Sequence, residues 1–90
     1  MLQRTVTIKD LETLAAIIND ITNSPKITYD NGRFNVGNFN ISQAYGGVCL
    51  HRIISTGGGV TCPIENCHVP KRELWDKMQA FRNGLEWSTK

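Results

Sequence analysis

AYGGVCLHRIISTGGGV, residues 44–60, decides the fold. Five of the chain's eight glycines bracket one short apolar run, and that run carries His51 and Arg52 side by side. Glycine clusters punctuate structure, so the run reads as one strand, Val48 to Ser55, between two turns. Val48, Leu50, Arg52 and Ile54 share one face; Cys49, His51, Ile53 and Ser55 share the other. Both faces are substantially apolar, which predicts a strand covered on both sides.

Ninety residues make a single domain, 1–90, with a thin core, and apolar residues are 40% of the chain. Two helices can cover one face of so small a sheet. A second copy of the chain is the simplest cover for the other, so a homo-oligomer is expected.

Working outward, Val6 and Ile8 suggest a short strand or an extended lead-in. Thr7 followed by Asp10 resembles a capping box, and Leu11, Leu14, Ile18 and Ile21 recur at helical spacing, with Ala15 and Ile17 widening the stripe. These predict a helix over 9–22, ended by Asn23-Ser24-Pro25. In KITYDNGRFNV, residues 26–36, Asn31-Gly32 marks a two-residue hairpin turn. The alternation then changes phase between Phe34/Val36 and Phe39/Ile41, placing a bulge or a second tight turn at Gly37-Asn38. Tyr45-Gly46-Gly47 is the next turn. Pro63 limits the Val60–Glu65 segment to an edge strand. Pro70 opens a last helix with the stripe Leu74, Met78, Phe81 and Leu85, capped at Asn83-Gly84. The expected class is α+β: a small antiparallel sheet of three to five strands with two helices, in the order β-α-β-β-β-(β)-α.

A net charge of +2 is too small to imply nucleic acid by itself. No apolar run is long enough to span a membrane, and MLQRTVTIKD lacks the apolar segment of a signal peptide. Three cysteines, an odd number, fit a reducing compartment; the expected location is cytoplasmic, with no membrane partner.

Cys62, Cys67 and His68 invite a zinc reading, with Cys49 or His51 as fourth ligand. Cys-x4-Cys-His is not a standard knuckle, and the fourth ligand would come from a strand interior. Ordinary buried or loop cysteines are expected instead, with no bound metal and no cofactor. A Cys62–Cys67 disulfide is geometrically feasible, but the compartment argues against it. Cys49 with His51 makes a poor catalytic dyad, because residues two apart on a strand stand ~6–7 Å apart by rise. Cys67 with His68 point to opposite faces. No paired acids stand out, and no catalytic residue is expected.

Gly57-Gly58-Gly59 lacks the Lys-Ser/Thr of a P-loop and reads first as a flexible hairpin loop. It nevertheless follows Arg52, Ser55 and Thr56 and precedes the basic helix start Lys71-Arg72, a set suited to an anionic ligand. Arg52 interrupts an apolar face. Buried, it would need a partner: a carboxylate such as Glu73 or Asp76, or a ligand phosphate. Trp75 falls off the helix stripe, and tryptophan is enriched at binding hot spots. The expected ligand- or partner-binding set is Tyr45, Gly46, Gly47, Arg52, Gly57, Gly58, Lys71, Arg72 and Trp75.

The combination of AYGGVCLHRI, a glycine-rich turn and PKRELWDKMQAFRNG resembles small uncharacterised proteins encoded by phages and prophages, over about residues 36–85. Those share an A-Y-G-G segment followed by a strand, and a later K-R-E-L helix with an aromatic and a closing glycine. The resemblance implies a phage accessory protein in the host bacterial cell. Such proteins act without catalysis, by occluding a host protein or by sequestering a nucleotide-like defence signal. A small nucleic-acid-binding or regulatory module is the alternative expectation.

Overall fold

The computed structural model describes residues 5–64 and 68–88. Its elements are α1 (Ile8–Ile21), β1 (Tyr29–Asp30), β2 (Arg33–Phe34), β3 (Phe39–Ala44), β4 (Gly47–Ile53), β5 (Val60–Thr61) and α2 (Lys71–Ser88). The class is α+β, as the sequence implies. Of the two readings of the amino-terminal segment, the described residues bear out the extended lead-in rather than a paired strand, and residues 1–4 lie outside the described residues. Val6, in that lead-in, is buried in the same apolar cluster as Leu11. The two stand at the positions of a hydrophobic staple.

Both ends of α1 follow from local chemistry. Thr7 Oγ1 accepts from the Asp10 N–H at 3.2 Å, and the Thr7 N–H donates to Asp10 Oδ2 at 3.0 Å, a closed capping box. At the other end Asn23 takes the left-handed conformation, φ 55°. The Ser24 N–H then reaches Asn19 O at 2.8 Å and the Asn23 N–H reaches Asp20 O at 3.2 Å, a Schellman closure. The helix is therefore stopped by Asn23, two residues before the proline.

β1 and β2 form a two-stranded hairpin across Asn31-Gly32, and β3-β4-β5 form a separate three-stranded antiparallel sheet. The phase change between them is a tight turn at Val36-Gly37, with Gly37 at φ 99° and the Asn38 N–H on Asn35 O at 3.2 Å. The glycine loop ties the two sheets together: the Phe34 N–H donates to Thr56 O at 3.0 Å. Gly58 lies so close to the Phe34 ring that a Cβ there would stand 2.8 Å from it.

α1 packs over β3, α2 over β4, and the helices touch each other. The core between the layers is built from Leu11, Leu14, Ile18, Phe39, Val48, Leu50, Leu74 and Met78. Asn19, also buried, uses its amide to accept from the Phe39 N–H at 2.7 Å and to donate to Phe39 O at 3.0 Å. Gly84 does not end α2, which continues to Ser88. Leu85 packs against the core beyond it and Arg82 pairs with Glu86 at 3.0 Å. These contacts offset the ~1 kcal/mol that a helical glycine costs. Trp87 projects, 79% exposed.

β4 is buried on both faces, as the sequence implies, though it ends at Ile53 and not at Ser55. Val48 and Leu50 face the helices, while Cys49 and Ile53, on the opposite face, are also buried. That burial arises within one chain, so covering this strand does not itself require a second copy.

Candidate functional site

The expected binding residues do not form one site. Gly46, Gly47, Lys71 and Arg72 come together at the start of β4, with Tyr45 adjoining Gly46 in the turn. Arg52, Gly57 and Gly58 lie at or beyond its other end, ~20 Å away by strand rise. Trp75 is half-buried and packs against the core from α2.

The first group is assembled by a close backbone approach. The β3–β4 hairpin turns at Tyr45-Gly46, flanked by the Ala44–Gly47 pair. Next, Val48 bridges to Val69, with the Val48 N–H on Val69 O at 2.8 Å and the Val69 N–H on Val48 O at 2.9 Å. Gly47 makes this bridge feasible, because a Cβ there would sit 2.9 Å from Val69 O. The bridge sets Pro70 and the start of α2 beside the hairpin tip. The result is a cleft of about 500 Å³ lined by Thr5, Val6, Gly46, Gly47, Pro70, Lys71 and Arg72.

The cleft is suited to an anion. The first helical N–H groups of α2 have no intrahelical acceptor, and the helix dipole is positive there. Lys71 makes no ion pair among the described residues. Arg72 holds Asp76 only loosely, at 3.7 Å on the surface, a contact of at most about 1 kcal/mol. Beside the cleft stands Tyr45, 98% exposed and at φ 55°. Its ring meets His68 edge-on, with centroids 5.8 Å apart.

The second group has a structural explanation. Arg52 is exposed, not buried, which corrects the premise that it needs a carboxylate. Its guanidinium lies over the Phe39 ring, 4.9 Å from the centroid, and Nε donates to Gly37 O at 3.4 Å. It pairs with neither Glu73 nor Asp76; those hold Lys77 and Arg72 instead. In the glycine loop the Gly58 N–H donates to Ser55 O at 3.1 Å and the Gly59 N–H to Ser55 Oγ at 2.9 Å. Two of the loop's backbone N–H groups are thus already used within the loop and are not available to an anion.

A third grouping differs from the zinc set weighed in the sequence, which centred on Cys62, Cys67 and His68 with Cys49 or His51 only as a fourth ligand. On the sheet face away from the helices, the donor atoms of Cys49, His51 and Cys62 lie within 4.8 Å of one another. The register explains it. Arg52 pairs with Thr61, so the next residue of that strand, Cys62, falls beside His51 and its neighbour Cys49. Strand rise alone overstated the separation of Cys49 and His51, because side chains on one face can lean together. Burial pushes the His51 imidazole below its usual pKa, and the neighbouring His68 pushes it the same way. His68 Nε2 lies 3.0 Å from Ser42 Oγ on this face. Cys67, the other cysteine considered for a metal, lies outside the described residues. The signal that could have found the cluster is the β4–β5 register, which the long glycine loop left open.

Among the described residues no helix is long and apolar enough to cross a membrane. Comparison with protein-family models, with curated proteins and with solved structures gives no match to this chain.

Proposed function

We propose that this chain is a non-catalytic binding protein whose ligand is a small, nucleotide-like anion held in the cleft at the amino end of α2. The observation that carries the reading is the convergence of Gly46-Gly47 and the Lys71-Arg72 helix start around about 500 Å³ of open space. That volume falls in the usual range of small-molecule sites. Lys71, Arg72 and the free helical N–H groups supply charge-assisted donors for phosphate. Tyr45 offers an exposed ring on which a planar base can stack. Together with the phage-type resemblance, this supports an accessory role: sequestering a nucleotide-like signal of host defence in the host cytoplasm. The reading needs no metal or cofactor and no reacting side chain. Self-association is a separate proposal, supported by exposed Ile27, Val36 and Ile54 and checked by light scattering.

The test is calorimetric titration with mono-, di- and cyclic nucleotides, beside native mass spectrometry and 260 nm absorbance of freshly purified protein. Saturable binding that Arg72→Ala and Tyr45→Ala each weaken by about tenfold supports the reading. Binding that these variants leave intact, or none to any nucleotide, overturns it. Affinity only for polynucleotides, falling steeply with salt, would favour the nucleic-acid module instead.

A further inference from the structure

We infer that the face of the sheet away from the helices carries a transition-metal site of zinc type, with Cys49, His51 and Cys62 as ligands. Two thiolates and an imidazole are the donor set that zinc prefers, and three such donors within 4.8 Å form a ready-made half-shell. The sulfur geometry agrees. Zn–S bonds of 2.3 Å at tetrahedral angles put two ligand sulfurs about 3.8 Å apart. Cys49 Sγ and Cys62 Sγ are 3.4 Å apart, near that value and well beyond the roughly 2.05 Å of a disulfide bond.

The surroundings favour an ion too. The helix-facing side of the sheet has a continuous apolar layer. The opposite side presents Ser42 and Asn40, register partners of Cys49 and His51, and behind them His68. A small domain gains much from a staple where it lacks a core. Here the ion would fasten the segment after β5 onto the middle of β4, just before that segment returns to the Val48–Val69 bridge. Loading the site replaces two thiol protons, released to solvent, with one divalent cation. A tetrahedral ion would need one further donor. His68 offers a second imidazole on the same face, its ring centroid 6.0 Å from that of His51.

The test uses the full chain, purified with a non-chelating reductant, stripped with a chelator and titrated with Co²⁺, then Zn²⁺. Expected is one Co²⁺ per chain, with thiolate-to-metal charge transfer in the near ultraviolet and the visible bands of tetrahedral cobalt. Stoichiometric zinc should displace it. Cys62→Ser and His51→Ala, both at half-buried positions, should each weaken binding by at least about tenfold while circular dichroism stays unchanged. Absent charge transfer in the reduced wild type overturns the inference, as do bands unchanged in Cys62→Ser. Isolated protein two hydrogens lighter than its sequence, taking up no cobalt once reduced, assigns the sulfurs to a disulfide and overturns it equally. None of these readouts involves the cleft at α2.

Discussion

Two hairpins in this molecule turn through the same geometry with different residues. Asn31-Gly32 has φ values of 51° and 78°; Tyr45-Gly46 has 55° and 73°. Both are two-residue loops with positive φ at both central positions, the kind that matches the twist of the flanking strands. Asparagine tolerates the first position because its short side chain bonds locally. Tyrosine lacks that bond, and at Tyr45 almost the whole side chain is in water, so burial returns little for the strain. The first hairpin is explained by its turn. The second puts a β-unbranched but bulky aromatic in the same strained place, with its ring edge-on to His68 and otherwise in water.

The largest expected effect comes just after the second turn. Gly47→Ala would drive a Cβ against the Val69 backbone, which cannot yield as a side-chain tip can. We expect a loss of about 2 kcal/mol in chemical denaturation, with ligand affinity lost as α2 shifts. Gly32→Ala, with open space around it and only the φ penalty, should cost about 1 kcal/mol. Next comes exchange of the first turn residue. Asn31→Tyr should cost about 1 kcal/mol, while Tyr45→Asn should raise stability by up to about 1 kcal/mol and weaken ligand binding by about tenfold. Thermal melts and titrations on the pair decide whether the strain is functional. If Tyr45→Asn binds as the wild type does, the contrast has no functional meaning.

Smaller effects sharpen the comparison along β4. Arg52→Ala removes an exposed cation–π contact and should cost about 0.5–1 kcal/mol without touching nucleotide affinity. Arg72→Ala should do the reverse, changing stability by under about 0.5 kcal/mol while weakening binding. Equal behaviour of the two arginines would return the candidate residues to a single site.

What the sequence made legible is local. The Thr7/Asp10 capping box, the Asn31-Gly32 turn, the Leu74/Met78 stripe and the break near Gly37 each depend on residues within one or two turns of each other. What stayed hidden depends on register and on relief of local cost. The cysteine–histidine cluster needs to know that Thr61 lies opposite Arg52. Gly84 reads as a helix end until Leu85 is seen to pack beyond it. Arg52 reads as buried because its neighbours at 48 and 50 are, yet the sheet ends beside it and its guanidinium reaches water over Phe39. In the candidate cleft, Gly46, Gly47, Lys71 and Arg72 were readable from turn and helix signals. Thr5 and Val6 were not, because only the tertiary approach of the amino-terminal segment brings them there.

The Asn19 amide also bears on what this protein can become when crowded. β3 is an outer strand of its sheet, and a bare outer strand is a template on which another chain can add itself. At Phe39 both outward backbone groups are already satisfied by a buried side chain of the same molecule. An incoming strand would have to evict that amide and leave it without a partner in an apolar setting, at a cost of a few kcal/mol. Fibril-like growth from this edge is therefore opposed at Phe39 by one side chain contributed from a helix rather than from the sheet.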